Sequence, residues 1–157
     1  MPPQMKLALL AIATAIAMAP GALFAASTSS PAALTKQECS ACHLQYPSFL
    51  LPKRSWGAIM GDLSNHFGED ASLDDAARAK IEAYLKSTAA DSNGQSPNWL
   101  RAIPASEIPL RISGLPWFQY QHGSRVKNWI KSHPEVGTIS NCTACHRGAE
   151  KGYFDDE

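Results

Sequence analysis

The sequence has no excess of either charge and few long hydrophobic runs. Its 157 residues include 14 lysines and arginines and 14 aspartates and glutamates. No basic stripe or polybasic run points to a nucleic acid or a membrane surface as a partner. The main apolar run, Leu7–Met18, is about 12 residues long, whereas a transmembrane helix needs roughly 20. Composition therefore supports neither a nucleic-acid-binding protein nor an ordinary membrane span.

Cysteine is also scarce, and all four cysteines lie in two Cys-x-x-Cys-His pentads, at 39–43 and 142–146. This pattern is typical of covalent c-type haem attachment, in which both thiols add to haem vinyl groups and the histidine ligates the iron. One short helical turn can present all three side chains to a porphyrin. The sequence thus predicts two covalently bound haem c groups with iron. The predicted attachment residues are Cys39, Cys42, Cys142 and Cys145, and the predicted proximal iron ligands are His43 and His146.

Two other kinds of protein use paired cysteines. A zinc ribbon usually separates its pairs by roughly 15–20 residues, far fewer than lie between Cys42 and Cys142, and it leaves the two histidines unexplained. A thioredoxin-like redox pair predicts a strand before the motif and requires no histidine. Both alternatives are weaker than haem, and no cysteine remains to ligate an iron.

Residues 1–26 are predicted to be a secretory signal peptide, with cleavage near 25–27. Lys6 precedes the apolar run, a proline-glycine pair ends it, and small residues follow. An uncleaved anchor stays open, because Leu7–Ala26 carries no charge. Since c-type haem is attached outside the cytoplasmic membrane, we expect the protein in a bacterial periplasm, with no membrane span after signal cleavage.

The remaining chain is predicted to be mainly α-helical and built around its two haems. An N-terminal lobe like a class I cytochrome c is followed by a polar linker containing glycine and proline. The C-terminal haem lobe is expected to be smaller and irregular, since Pro104, Pro109 and Pro116 disfavour long helices. The predicted boundaries are 27–90 for the first lobe, 91–97 for the linker and 98–157 for the second lobe.

The spacing of apolar residues predicts where the helices lie. A capping box, Ser72 to Asp75, is expected to begin the last helix of the first lobe. The predicted helices are Leu34–His43, one from Ser55 with its apolar face reaching Phe67, Leu73–Thr88, Trp117–His122 and Val126–Lys131.

Each iron also needs a ligand opposite its pentad histidine, and methionine and histidine are the usual residues. In the first lobe we favour His66 over Met60, because methionine fills cores well, whereas an imidazole among apolar residues needs a partner. In the second lobe we favour His122, which follows an aromatic-rich segment. His133 is expected to be an exposed loop residue.

Four further side chains are candidates for contact with the haem propionates. Arg54, Arg101 and Arg111 are cations that can pair with a carboxylate, and the indole of Trp56 can donate a hydrogen bond. For each arginine, an exposed surface position is an equally good interpretation.

A longer pattern covers nearly the whole mature chain. Its parts are Tyr46-Pro47, Leu50-Leu51-Pro52, Ser55-Trp56, Met60, the run from His66 to Leu73, Arg111-Ile112-Ser113, Trp117-Phe118, His122 and Asn141 before the second pentad. This pattern resembles the dihaem cytochrome c family, whose members are small periplasmic electron carriers with two bis-histidine haems. The resemblance implies that His66 and His122 are the distal iron ligands. It leaves open which of them serves which haem.

The resemblance also implies redox-protein partners, since some family members are linked with an oxygen-binding monohaem c-type cytochrome and a membrane b-type cytochrome. If both irons have two histidine ligands, neither offers a vacant site. We therefore predict a low-potential one-electron shuttle and no enzyme activity. The alternatives are a haem enzyme and a gas sensor, each of which needs one open or labile iron.

Overall fold

The computed structural model describes residues 29–94 and 96–154, which are mainly helical. This part of the chain has no strand, only an isolated antiparallel bridge between His66 and Glu69. The predicted mainly α fold is confirmed, whereas the predicted signal peptide lies outside the described residues. The α-helices are α1 (Pro31–Cys39), α2 (Lys53–Gly61), α3 (Asp75–Ser87), α4 (Asn98–Arg101), α5 (Pro116–Gln121) and α6 (Ser124–Lys131). Short 3₁₀ turns lie at Ser48–Leu50, Leu63–Asn65, Ser92–Gly94, Ile112–Gly114, Pro134–Val136, Cys142–Ala144 and Ala149–Lys151.

Helix α3 is the centre of the helical packing, because both α1 and α2 contact it. Ile81 and Leu85 of α3 are buried, and their spacing of four residues puts them on one face of the helix. Trp56 and Met60 of α2 have the same spacing and are also buried. None of the helices in the described part of the chain is long and apolar enough to cross a membrane.

Local hydrogen bonds determine where α3 begins. The side chain of Asp74 accepts from the backbone N–H groups of Ala76 and Ala77, at 3.0 and 2.9 Å, and so caps the helix. The predicted capping box at Ser72 is therefore wrong by two residues. Ser72 instead donates its own backbone N–H to the Asp70 carboxylate, in a turn that precedes the helix.

Two predicted helices of the first half are shorter than expected. Helix α1 ends at Cys39 rather than continuing to His43, so the first pentad begins at a helix end and turns away from it. Helix α2 ends at Gly61, because Asp62 leaves helical geometry with φ −137° and ψ 51°. His66 consequently lies in a turn after the 3₁₀ turn Leu63–Asn65 and not on a helix.

The hydrophobic core continues from the first half of the chain into the second. Beside residues of α2 and α3 it includes four buried side chains from beyond the predicted linker: Leu100, Ile103, Leu115 and Phe118. The predicted linker is hydrogen-bonded to the start of α2, because the backbone N–H of Lys53 donates to the Asp91 carboxylate at 2.7 Å. The boundary at 91–97 stays a prediction, and the core on either side of it is continuous.

The second half has short elements, as the prolines indicate. Helix α5 begins with Pro116 at its first turn, where a missing N–H costs nothing, and helix α6 follows Gly123. The second pentad forms a single turn, in which the backbone N–H of His146 donates to the Cys142 carbonyl at 2.8 Å.

Candidate functional site: two histidine pairs beside the pentads

The first pair consists of His43, at the end of the first pentad, and His66. The two imidazole ring centres lie 6.1 Å apart, with an angle of 17° between the ring planes. A tight turn holds His66 in place, since its backbone N–H and C=O both bond to Glu69, at 2.7 and 3.2 Å. Phe67 and Gly68 at the centre of this turn have φ values of +58° and +105°. Glycine adopts such an angle readily, which explains its use at 68.

The second pair consists of His146, at the end of the second pentad, and His122. Their ring centres lie 6.0 Å apart, with 73° between the ring planes. His122 ends helix α5, and its ring stacks on Phe118 at 4.0 Å. Because Phe118 belongs to the buried core, the core fixes the orientation of the His122 imidazole.

The separation within each pair fits a metal held between two imidazoles. Two metal–nitrogen bonds of about 2 Å, and about 1 Å from each nitrogen to its ring centre, separate the two ring centres by about 6 Å. Both observed distances match this value. Each pair also includes the histidine of a Cys-x-x-Cys-His pentad, so the residues present fit a covalently attached haem, and the two rings of a pair would hold its iron.

Hydrogen bonds leave the outer nitrogens of two of these rings free to ligate a metal. The Nδ1–H of His43 donates to the Leu44 carbonyl at 2.6 Å, and that of His122 donates to the Phe118 carbonyl at 3.1 Å. A carbonyl can only accept, so each ring has its proton on Nδ1 and its lone pair on Nε2. Such a bond orients a ligating imidazole and makes it more basic.

The surroundings of His66 also favour the neutral, ligating form. Burial lowers the pKa of His66, and the nearby charges of His43 and Arg111 lower it further. Arg111 is held close by Phe67, with its guanidinium carbon 4.1 Å from the centre of that ring.

The environment of the cysteines does not match a redox-active thiol pair. Burial raises the pKa of Cys39, with a smaller contribution from Glu38. Burial is also the largest cause of the raised pKa of Cys142. Reactive Cys-x-x-Cys pairs instead have a lowered pKa. Among residues 29–94 and 96–154, no three histidine, cysteine or acidic side chains form a group that could hold a metal ion. The four cysteines therefore do not form one zinc site.

Comparison with known proteins identifies the family. The family model for dihaem cytochrome c matches residues 35–154. The chain belongs to the dihaem cytochrome c family. None of the curated protein sequences compared with it matches.

Solved structures of dihaem cytochromes c are similar to the chain over most of its length. A diheme cytochrome c from Rhodobacter sphaeroides is 53% identical with a TM-score of 0.70, covering 77% of this chain and 94% of its own. A crystal structure of the protein purified from the same organism is 50% identical with a TM-score of 0.61, covering 77% and 95%. A diheme cytochrome type c from Shewanella baltica is 37% identical with a TM-score of 0.65, covering 80% and 88%. This dihaem cytochrome c therefore carries two covalently bound haem c groups and takes part in haem-based electron transfer.

The two less favoured ligand candidates, Met60 and His133, occupy other environments in the dihaem cytochrome c. Met60 is buried in the core with 3% of its surface exposed. His133 stacks on Trp129 with 3.8 Å between ring centres, and its Nδ1 lies 2.8 Å from the Trp129 carbonyl oxygen. His133 lies in the loop after α6, as expected, and is half-buried because the indole covers one face of its ring.

Three of the four propionate candidates have protein partners. The indole N–H of the buried Trp56 donates to the Ser48 carbonyl at 2.7 Å, so it is not available to a propionate. Arg54 donates to the carbonyls of Glu107 and Pro104, and Arg101 donates to the side chain of its helix neighbour Asn98. Arg111, over Phe67, is close enough to His66 to lower its pKa.

Sequence reasoning did not identify the role of Tyr46. Its ring lies 5.1 Å from that of His43, and its hydroxyl donates to the Ser140 carbonyl oxygen. The partner lies 94 residues away, so no local spacing in the sequence could indicate this contact.

Proposed function

We propose that this dihaem cytochrome c is a periplasmic, low-potential one-electron carrier in which each iron has two histidine ligands. His43 and His66 would hold one iron, and His146 and His122 the other. The observation that carries the proposal is the separation of about 6 Å within both pairs. Each distal histidine is near the pentad histidine of its own half of the chain, which argues against a crossed arrangement.

Two histidine ligands on each iron favour an electron carrier over an enzyme. Haem iron supplies a one-electron couple, and an imidazole in place of a thioether lowers its potential. The carbonyls of Leu44 and Phe118 support this direction, since they make the ligating rings more basic. With both faces of each iron occupied by side chains, the chain presents no vacant position to oxygen, peroxide or carbon monoxide.

Optical and paramagnetic spectra of the purified holoprotein test the proposal. We expect low-spin absorption from both haems and no change on adding carbon monoxide. The angles between ring planes, 17° and 73°, differ strongly between the two pairs. Because ligand orientation sets the splitting of the iron d orbitals, the oxidised protein should show two distinct low-spin resonances. A high-spin fraction that binds carbon monoxide would favour the haem-enzyme or gas-sensor alternative.

Export is the second part of the proposal. The charge, apolar run and small residues of 1–26 support a cleaved signal peptide, and covalent haem attachment outside the cytoplasmic membrane agrees with export. The intact mass of the mature holoprotein tests this directly. Loss of the first 25–27 residues is expected, whereas a mass that retains them would indicate an anchor.

Charge distribution supports other redox proteins as partners, such as an oxygen-binding monohaem c-type cytochrome and a membrane b-type cytochrome. Residues 98–157 include seven lysines and arginines and six acidic residues, three of which are the last three of the sequence, and no carboxylate occurs between Ile108 and Pro134. Helix α6 presents Arg125, Lys127 and Lys131 beside the partly exposed Trp129, and it begins two residues after His122. Opposite charges across an interface accelerate association. We therefore propose that a redox protein with an acidic docking surface binds here.

A further inference from the structure

The loop between the first pentad and helix α2 contacts the segment that contains the second pentad. Tyr46 lies in this loop, three residues after His43. Its ring lies 5.1 Å from the His43 ring at an angle of 24°, and its hydroxyl donates to the Ser140 carbonyl at 3.0 Å. Ser140 precedes Cys142 by two residues. One side chain thus touches an iron ligand of the first pair and hydrogen-bonds to the backbone beside the second attachment site.

A second contact joins the same loop to the turn that follows the second pentad. Gly152 of this turn has φ +79°, which favours glycine. A Cβ atom at 152 would lie 3.2 Å from Cε1 of Phe49 and 3.6 Å from Cγ of Pro47. Glycine therefore permits a close approach of the C-terminal turn to the loop. Two independent contacts, at Ser140 and at Gly152, join the loop to both sides of the second pentad.

The Tyr46 hydroxyl is suited to act as a lasting donor. A tyrosine hydroxyl is protonated at neutral pH and can donate throughout that range. A backbone carbonyl as acceptor makes the bond independent of the side chain at position 140.

We propose that Tyr46 is a positioning residue that fixes the two haem-attachment segments relative to each other and thereby determines the redox coupling between the two haem sites. This inference rests on the proposed electron-carrier function. The covalent thioether bonds tie each haem to its pentad, so the relative position of the two pentads determines the relative position of the two haems. Tyr46 connects the two pentad segments, because its ring stacks on His43 and its hydroxyl donates to the Ser140 carbonyl.

The test compares Tyr46→Phe with Tyr120→Phe in the holoprotein. Tyr46→Phe keeps the ring on His43 and removes the hydrogen bond, and Tyr120, which is 85% exposed, is the matched control. We expect Tyr46→Phe to retain low-spin spectra, to change the separation between the two midpoint potentials and to slow electron exchange between the haems. Tyr120→Phe should leave both quantities unchanged.

A second variant covers the case in which Tyr46→Phe fails to take up haem. Gly152→Ala disturbs the contact with Phe49 and leaves Tyr46 intact, so it should shift the midpoint separation and slow the exchange as well. Unchanged separation and rate would overturn the inference, even if thermal stability falls, because a purely structural residue would alter stability alone. Failure of the proposed function is recognised separately, from carbon monoxide binding by the unmodified protein.

Discussion

The guanidinium carbon of Arg111 lies 4.1 Å from the centre of the Phe67 ring, and Phe67 directly follows His66. The aromatic ring thus holds a cation beside the first histidine pair. A nearby positive charge favours the iron state with the smaller positive charge, which is the reduced state. On the proposed ligand assignment, Arg111 should therefore raise the potential of the haem that His66 would ligate.

Replacing Arg111 with glutamine should lower one midpoint potential and leave the other nearly unchanged. For a charge about 10 Å away, partly screened by solvent, the shift is on the order of 30 mV. Potentiometric titration of both haems measures it. Arg101→Gln is the control, because Arg101 is exposed and bonds to Asn98 of its own helix. An upward shift in Arg111→Gln would contradict the assignment of this cation to the first haem.

Replacement of either distal histidine by methionine should raise the potential of one haem only, because a thioether favours reduced iron. His66→Met and His122→Met are expected to affect different haems, so each titration should show one shifted and one unshifted midpoint. Met60→Leu and His133→Gln are the matched controls. If Met60→Leu alters the spectrum while His66→Met does not, Met60 is a ligand and the assignment of the first pair is wrong.

Charge reversal on helix α6 should weaken association with an acidic redox partner. Among residues 29–94 and 96–154, ion pairs join only charges on α3, so no carboxylate there pairs with Arg125, Lys127 or Lys131. The Lys127 ammonium donates to the Gln119 side chain and would exchange that bond for one to a partner. The triple replacement by glutamate is expected to slow second-order electron exchange with an acidic cytochrome by at least about tenfold at low salt. The difference should shrink as salt increases.

The control for this experiment reverses exposed lysines elsewhere, with Lys36→Glu on α1 and Lys80→Glu on α3. These variants should exchange electrons at nearly the unmodified rate. Equal slowing by both sets would indicate an effect of net charge and would remove α6 from the interface. Binding of the protein to anionic vesicles through α6, without an effect on exchange, would instead favour a membrane surface.

Trp56→Phe should reduce stability without changing either midpoint potential. The variant loses the hydrogen bond to the Ser48 carbonyl and part of a buried ring, at a cost of about 1–3 kcal/mol in the free energy of unfolding. Denaturant unfolding of the holoprotein gives this value. A clear shift of one midpoint would show that the indole contacts a haem propionate after all.

Asp74→Ala should destabilise helix α3, whereas Ser72→Ala should not. The Asp74 carboxylate accepts two backbone hydrogen bonds at the helix start, and removal of such a cap costs about 1 kcal/mol. Ser72 uses its backbone N–H, which alanine keeps. Comparison of the two unfolding free energies separates the observed cap from the one that the sequence pattern predicts. Equal losses would contradict the observed cap.

Local chemistry explains which features the sequence reveals. The pentads are readable because haem attachment requires all three residues within five positions. Helix α3 can be predicted because Ile81 and Leu85 have the spacing of one helix face. The exact start of α3 cannot be predicted in this way, because Ser72 and Asp74 are both good capping residues. Which of the two caps the helix depends on the preceding turn.

Contacts between distant parts of the chain account for what sequence reasoning missed. The bond from Tyr46 to Ser140 joins residues 94 positions apart. The Trp129–His133 stack, in contrast, spans only four residues at the end of α6 and has ordinary helical spacing. The end of α2 at Gly61 could not be predicted from the apolar spacing, because that spacing continues to Phe67 after the backbone has left the helix. The apolar spacing predicts His66 on a helix, whereas a tight turn places it near His43.

Phe118 has two neighbours of different kinds: the buried core that begins in α2 and α3, and the His122 ring that stacks on it. The second histidine pair therefore depends on packing supplied by the first half of the chain. Cutting the protein at 91–97 would not yield two working monohaem modules, because the C-terminal piece would lose the surface that orients its own distal ligand. Anyone dissecting the two redox centres should inactivate them one ligand at a time and keep the polypeptide whole.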